Sequence, residues 1–328
     1  MPAARAIRIR EPGGPNVLEL GEIELPAPGP SEVLVEVVAA GLNRADCLQR
    51  RGFYPAPPGV PPDVPGLELA GVVEAVGDSV DAWKPGDRVM GIVGGGAMAT
   101  RVITEAAELM PIPDALSLSQ AAAVPEVFLT AYDAIVLQGG LRARQTVLIH
   151  AVASGVGTAA IQLAKIVGAD SVGTSRTADK LPRCIELGLT HGVLVEDGHF
   201  ADAVESAVPE GVHVILDTVG AAYLAENVRV IAKQGRIIVI GLMGGIKGEL
   251  NLGLLLGKRA SIHGSVLRSR SSEEKAGLTA SFTNEMLGRF ASGELLPIID
   301  DVLPMTEIQE AHRRMDANET FGKLVLSW

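Results

Sequence analysis

The chain has 328 residues, of which 47% are hydrophobic and 20% are charged, and its formal net charge is −11. This length favours two domains, and the acidic balance argues against a nucleic-acid partner, which needs clustered lysines and arginines. With two cysteines, no apolar N-terminal signal and no run approaching 18 uncharged apolar residues, we expect a cytoplasmic protein without a disulfide framework or a membrane span.

Short strands separated by turns rich in proline and glycine are predicted over the first 113 residues. The strand candidates have β-branched or alternating apolar positions and lie at 4–11, 18–25, 32–41, 67–77, 84–93 and 99–113. Turn segments such as EPGGPN and PAPGPSE separate the first three. Many short strands at this spacing predict a partly closed β-barrel.

Helices enter the pattern after Pro113, the first with Ser117 or Ser119 as its cap and the second at 128–137. Apolar strand candidates then alternate with helices, at 146–150, 171–175, 192–196, 212–220, 237–242 and 260–266. This alternation predicts an α/β domain with a doubly wound parallel sheet. Two more helices, at 275–292 and 306–317, precede the strand-like ending KLVLSW, which we expect to return to the first domain. The predicted domains are 1–124 with 271–328, and 125–270.

A cluster of small residues follows the strand at 146–150. Gly155, Val156 and Gly157 begin a stretch that fits G-x-G-x-x-[G/A], and Ser154 precedes it. Small residues there permit a tight turn, a close approach of backbone to a pyrophosphate and close packing of helix on strand. The alternative is that they serve packing only. Placed between a strand and a helix that open a βαβ series, they predict a dinucleotide site.

The tip of the next strand bears on which dinucleotide binds. A site for NAD places a carboxylate about 20 residues after the first glycine. Here Ser175 and Arg176 stand at the strand end, and Lys180 follows one turn later. A hydroxyl and two cations suit the 2′-phosphate of NADP, although Asp179 lies nearby and the cations also fit a plain surface loop. The pattern favours NADPH over NADH.

Nine segments along the whole chain resemble the zinc-free quinone oxidoreductases of the medium-chain dehydrogenase/reductase superfamily, in the branch of the tumour-suppressor-induced quinone oxidoreductases near the zeta-crystallin group. They are GLNRADCLQRRGFYPAPP, PGLELAGVVEAVG, KPGDRVMGI, QAAAVPEVFLTAY, HAVASGVGTAAIQLAK, GLMGG, SVLRSRS, TEIQEAHRRM and GKLVLSW. The resemblance implies a GroES-like barrel domain and a Rossmann domain, with the active site in the cleft between them.

Zinc is not expected. Zinc alcohol dehydrogenases of the superfamily have a Cys where this chain has Asn43, and a His-Glu pair where it has Leu67 and Glu68. Catalytic zinc needs about three nitrogen, sulfur or oxygen ligands in one place, and Asn43 and Leu67 do not supply them. We interpret Cys47, which has no partner ligands in this pattern, as an inert packing residue.

The resemblance also implies roles for individual residues. Asn43 and Asp46 are expected beside the nicotinamide and Tyr54 along the substrate cleft, as a chemical group or as a cover for its proline-rich loop. The other residues implied to contact the cofactor are Thr130, Gly241, Leu242, Met243, Leu267, Arg268 and Ser269. His150 and Asp217, at strand ends, are interpreted as structural: a satisfied buried histidine and a residue that fixes nearby backbone groups.

The function predicted is NADPH-dependent hydride transfer to quinones without metal or flavin. An enoyl or alkenal double-bond reductase, with the same cofactor and cleft, is the enzymatic alternative, and an NADPH-binding redox sensor is the non-enzymatic one. The strand at 260–266 is apolar and expected at a sheet edge, where it invites pairing with another chain. Because relatives pair there, we predict a homodimer.

Overall fold

The computed structural model describes residues 3–328. The chain forms two compact units, the first made of residues up to Leu129 together with Leu267–Trp328, and the second of Thr130–Val266. The first unit therefore contains both ends of the chain.

The strands of residues 3–328, in chain order, are β1 (Ala3–Ile9), β2 (Leu18–Glu24), β3 (Glu32–Leu42), β4 (Glu68–Val76), β5 (Arg88–Ile92), β6 (Arg101–Glu105), β7 (Leu109–Pro111), β8 (Thr146–Ile149), β9 (Asp170–Ser175), β10 (His191–Leu194), β11 (Val212–Asp217), β12 (Ile231–Val239), β13 (Ser261–Gly264), β14 (Ile299–Pro304) and β15 (Lys323–Ser327).

The α-helices are α1 (Arg44–Arg50), α2 (Leu118–Ala121), α3 (Pro125–Ala131), α4 (Gly155–Val167), α5 (Leu181–Glu186), α6 (Ala201–Ala207), α7 (Leu224–Val230), α8 (Leu252–Lys258), α9 (Ser272–Ala291) and α10 (Ile308–Asp316). A π-helix, Tyr132–Gln138, continues α3. Of the two predicted caps, Ser117 is the one that caps α2, because its hydroxyl accepts a hydrogen bond from the Gln120 amide.

The first unit contains a seven-stranded sheet with the order β14-β15-β3-β4-β5-β7, and β6 also pairs with β3. β1 and β2 form a separate antiparallel pair. Val33, Val35 and Val37 of β3 project into the main core, as the alternation of the strand dictates. The C-terminal strand β15 pairs with β3 and β14, which confirms the predicted return of the chain.

The second unit contains a six-stranded parallel sheet with the order β10-β9-β8-β11-β12-β13. All six strand candidates are present, and β13 lies at the edge as predicted. Strand order reverses between β8 and β11, which makes a topological switch point at their carboxyl ends. Loops that follow the strands at this edge are where ligands of such sheets bind.

One sequence expectation is wrong in detail, and one helix lies outside the predicted elements. The stretch 99–113 is not one strand, because β6 pairs with β3 whereas β7 pairs with β5, and a short 3-10 turn at Ala106–Glu108 makes the change of partner. Helix α1 was not anticipated from periodicity. Its start is held by the Asp46 carboxylate, which accepts a 2.8 Å hydrogen bond from the Asn43 amide.

One helical stretch of residues 3–328, Leu118–Gln138, is long and apolar enough by composition to cross a membrane. Its most apolar window is 72% buried inside the protein, as in the core helix of a globular fold. Length and composition alone are weak evidence for a membrane span.

Candidate active site

The loop between β8 and α4 has the features of a phosphate-binding turn. Ser154 is the N-cap of α4, and its hydroxyl accepts a 3.1 Å hydrogen bond from the Gly157 amide. A Cβ on Gly157 would lie 2.4 Å from the Val152 carbonyl oxygen, so only glycine allows this close packing. The first-turn amides, including those of Gly155 and Val156, have no carbonyl partners within the helix and favour an anion.

The end of β9 holds the residues predicted to select the dinucleotide. The Ser175 hydroxyl is used locally, because it donates to the Thr177 carbonyl and accepts from the Thr177 amide. Arg176 is exposed and has no carboxylate partner in residues 3–328. It lies close enough to Tyr223 to lower the pKa of that phenol, against the larger effect of burial, which raises it. Lys180 lies in the following 3-10 turn.

The loop after β12 lies at the same edge of the sheet. A Cβ on Gly241 would lie 2.8 Å from the Thr218 carbonyl oxygen, so the two loops approach closely. Leu242 and Met243 are about half exposed, at 52% and 54%, although they are apolar. These loops, with the start of α4 and Arg176, fit a dinucleotide laid along the carboxyl ends of the strands. Thr130 lies in α3, where the second unit begins.

A second group of predicted residues lies in the first unit around a buried ion pair. The Lys323 ammonium is 2.6 Å from Glu68 Oε1 and donates to Asn43 Oδ1 at 2.6 Å and to the Leu42 carbonyl at 2.8 Å. Asn43 Nδ2 in turn donates to Glu68 Oε1 at 2.9 Å. All three side chains are buried. The lysine cation therefore neutralises a carboxylate that could otherwise attract a metal ion.

Asp46 is fully buried beside this pair. Its two carboxylate oxygens accept 2.8 Å hydrogen bonds from the backbone amides of Asn43 and Gly66. Burial raises the pKa of Asp46 to about 6, although the two amides and the charges of Lys323 and Arg268 oppose the rise. Asp46 therefore holds the backbone of the loop before α1 in place, and its carboxyl is one of the buried acidic groups beside Lys323.

Arg268 fixes the loop that contains Tyr54. Its guanidinium donates to the Gly94 carbonyl at 2.7 Å, the Tyr54 carbonyl at 3.1 Å and Gln49 Oε1 at 2.8 Å. The guanidinium also lies over the Tyr54 ring, 5.1 Å from its centroid. The structure thus gives Arg268 a positioning role within its own unit. Its neighbours are Leu267, which is buried, and Ser269, which is exposed.

Glu126 was not singled out from the sequence. Its amide donates a 2.8 Å hydrogen bond to Glu68 Oε2, which places it at the same cluster. Its half-buried carboxyl has no hydrogen-bond partner in residues 3–328. Burial first, and then the charge of Glu68, raise the pKa of Glu126 to about 8. A charged residue within the apolar run AAAVPEVFL is the signal that sequence reasoning passed over.

The remaining candidates are structural. His150 is buried, with Nδ1 2.8 Å from the Thr174 hydroxyl and Nε2 2.7 Å from Asn227 Oδ1. Asp217 Oδ1 accepts from the amides of Val219 and Gly220, which is the backbone role predicted for it. Burial raises the pKa of the Cys47 thiol to about 12, so the reactive thiolate is disfavoured.

No group of three or more His, Cys, Asp or Glu side chains in residues 3–328 is arranged to hold a metal ion. At the positions of the zinc ligands of related dehydrogenases, Leu67 has no ligand atom and the Asn43 amide is engaged by Lys323 and Glu68.

Residues 29–114 match the family described as the alcohol dehydrogenase GroES-like domain, and residues 155–283 match the family described as zinc-binding dehydrogenase. The chain is 32% identical to quinone oxidoreductase of Homo sapiens over 98% of this chain and 97% of that protein. It belongs to the quinone oxidoreductase branch of the medium-chain dehydrogenase/reductase superfamily. The predicted fold class, a GroES-like domain with a Rossmann parallel sheet, is confirmed.

Solved structures agree on the fold. The quinone oxidoreductase of Escherichia coli complexed with NADPH is similar with a TM-score of 0.88 and 28% identity, over 99% of this chain and all of that chain. An NAD-dependent alcohol dehydrogenase has a TM-score of 0.87 and 34% identity, over 99% of both chains. The CurK enoyl reductase has a TM-score of 0.87 and 28% identity, also over 99% of both. The chain is thus an oxidoreductase that uses a nicotinamide cofactor.

Proposed function

We propose that this protein is an NADPH-dependent quinone oxidoreductase that works without zinc. The observation that carries the proposal is the bonding of Asn43 and Glu68 to Lys323 at 2.6 Å each, because these oxygens then serve a resident ammonium ion and not a metal. A quinone is already electrophilic and needs orientation rather than activation by a Lewis acid. The human and Escherichia coli relatives support the quinone as substrate.

NADPH is proposed over NADH because of the residues at the end of β9. Arg176 is exposed and has no carboxylate partner in the part of the chain that the structure describes. A guanidinium of this kind binds a phosphate with two parallel hydrogen bonds, and Lys180 adds charge one turn later. The Ser175 hydroxyl is already bonded to Thr177, so in our proposal it shapes the turn more than it binds phosphate.

When bound, NADPH supplies a hydride from its nicotinamide ring. The start of α4 binds the pyrophosphate through its free amides. Arg268 holds the Tyr54 ring and the backbone of its loop, so that the wall offered to a flat substrate is rigid. Asp46 holds the turn from which Asn43 projects.

A reductase of conjugated double bonds is the second candidate, and the similarity to the CurK enoyl reductase favours it. The decisive measurement is oxidation of NADPH and of NADH, in parallel, with an ortho-quinone and with a 2-alkenal. We expect the quinone to be reduced with a higher kcat/KM, and NADPH to be preferred. Faster turnover of the alkenal would exclude the quinone as the principal substrate class. Binding of NADPH with no turnover of either compound would favour a redox sensor.

We also propose a homodimer formed at the β13 edge of the second unit. Within residues 3–328, β13 pairs only with β12, and nearby α8 exposes Leu252 and Leu256 at 68% and 79%. Light scattering coupled to gel filtration should give the wild type a mass twice that of one chain. The Leu256→Glu variant should have the mass of a single chain. Leu20→Glu, at a half-exposed leucine of the first unit, is the control that should remain dimeric.

A further inference from the structure

Five charged side chains of the first unit form what we term the charge cluster: Asp46, Glu68, Glu126, Arg268 and Lys323. Lys323 forms an ion pair with Glu68 at 2.6 Å. Arg268 binds two carbonyl oxygens and the Gln49 amide oxygen, and its charge acts on Asp46. Two cations thus face three carboxylates, and Glu126 is the carboxylate that forms no ion pair in residues 3–328, although the charges of Lys323 and Arg268 also act on it.

The start of α3 gives Glu126 little further help. The positive end of a helix stabilises a carboxylate, but here the Glu126 amide is donated to Glu68 Oε2 at 2.8 Å. The anion held by this helix end is therefore Glu68. A second negative charge beside it is repelled, and the proton of Glu126 relieves that repulsion. Burial first, and then this repulsion, raise the pKa of Glu126 to about 8, although the charges of Lys323 and Arg268 oppose the rise.

Glu126 differs from the other acids of the cluster in being only partly buried. Asp46 and Glu68 are completely buried and accept hydrogen bonds through both carboxylate oxygens, whereas the Glu126 carboxyl is half-buried and makes none in residues 3–328. Its charge also acts on the Tyr54 phenol, so the two side chains lie in the same part of the unit. A carboxyl that is partly exposed and makes no hydrogen bond is suited to donate a proton.

We propose that Glu126 is a catalytic acid that protonates the oxyanion of the reduced substrate. The proposal rests on the proposed function. The quinone gains two electrons and a hydrogen as hydride from the reduced nicotinamide, which becomes oxidised, and the quinone becomes a hydroquinone with one anionic oxygen. The O–H bond of Glu126 then breaks and a new O–H bond forms on that oxygen. Water returns a proton to the carboxylate after product leaves.

The protonation state of Glu126 is measured without turnover, by infrared difference spectroscopy of the cofactor-free protein. Wild type at pH 7 should show a protonated-carboxyl band that disappears as the pH passes 8 and is absent from Glu126→Gln. The control is Glu285→Gln, at an exposed glutamate of α9 with no ion pair in residues 3–328, which should keep the band. A wild-type spectrum without a band that titrates near pH 8 would overturn the proposal.

The catalytic role is measured with NADPH and an ortho-quinone over pH 6–10. Wild-type kcat should fall about tenfold for each pH unit above 8, whereas Glu126→Gln should be about 10²-fold slower or more and lack this fall. Glu126→Asp should regain part of the rate, and NADPH affinity should change less than twofold in both variants. Glu126→Gln with a kcat within twofold of wild type and the same pH profile would refute the role.

The two proposals fail separately. The wild-type protein could reduce neither the quinone nor the alkenal and still show the infrared band of Glu126. That result would refute the proposed function and the protonation of its substrate. It would leave the protonated state of the Glu126 carboxyl confirmed. Tryptophan fluorescence checks the fold of each variant. If Glu126→Gln does not fold, the rate of Glu126→Asp and the infrared titration of the wild type test the role of Glu126 in its place.

Discussion

Replacement of Lys323 by methionine tests the ion pair on which the first unit depends. The substitution keeps the length of the side chain and removes the ammonium ion from Glu68, from Asn43 Oδ1 and from the Leu42 carbonyl. Glu68 is then a completely buried carboxylate without a cation. Such a group takes up a proton in preference to remaining charged.

The size of the effect follows from that proton. A glutamate in water has a pKa of about 4.3, so holding one neutral at pH 7 costs about 3.7 kcal/mol. We therefore expect Lys323→Met to lower the free energy of unfolding of the first unit by about 4 kcal/mol at pH 7, within the ~3–5 kcal/mol range for broken buried pairs. At pH 5 the same proton costs only about 1 kcal/mol, and the destabilisation should shrink accordingly.

Urea unfolding followed by tryptophan fluorescence measures this unit selectively, because the two tryptophans of the chain, Trp83 and Trp328, both lie in it. Lys84→Met is the matched control, since Lys84 pairs with Asp87 at 2.8 Å on the surface and its loss should change stability by less than about 1 kcal/mol. The double variant Glu68→Gln/Lys323→Met should recover much of the loss. A destabilisation below about 1 kcal/mol at pH 7, or one equally large at pH 5, would refute this reasoning.

Three further outcomes are expected. Arg176→Ala should weaken NADPH binding by about 1–3 kcal/mol and leave NADH binding unchanged, as measured by fluorescence titration; equal losses for both would exclude a contact with the 2′-phosphate. Tyr54→Phe should lower kcat with a quinone much less than the 10²-fold expected of a proton donor, and a larger loss would assign the proton to Tyr54. Burial first, and then the charge of Arg50, lower the pKa of His312 to about 3, so its unfolded form takes up a proton near pH 6.5 while the folded form does not. The stability due to this residue is complete above pH 6.5 and is lost as the pH falls towards 3, by about 2 kcal/mol at pH 5. In urea unfolding, His312→Gln should therefore lose less stability than wild type between pH 6.5 and pH 5. An equal loss in the two proteins would contradict the assignment.

Local pattern was sufficient for the second unit. Six apolar strands with helices between them specify a parallel sheet, because connections of this kind are right-handed and short. The glycines after β8 are needed wherever a helix packs this closely on a strand end, so they can be recognised without the fold. Strand partners in the first unit were harder to predict, since β6 and β7 look continuous in the sequence and pair with different strands.

The charge cluster was beyond sequence reasoning. Lys323 is 280 residues from Asn43, and Glu126 is 58 residues from Glu68, so nothing in the spacing of the chain indicates that they meet. Arg268 was expected to contact the cofactor, and only the structure shows its three donors on Gln49, Tyr54 and Gly94.

The two-domain α/β architecture, the glycine-rich turn before α4 and the absence of zinc-ligand residue types at positions 43 and 67 follow from the sequence, because they depend on residue type and short spacing. The tertiary structure alone decided which buried charges neutralise one another. That outcome depends on the strand β15 returning beside β3, which brings one lysine to Glu68, whereas Glu126 forms no ion pair in residues 3–328. Protonation is set by such distances and by burial, and neither can be read from residue order.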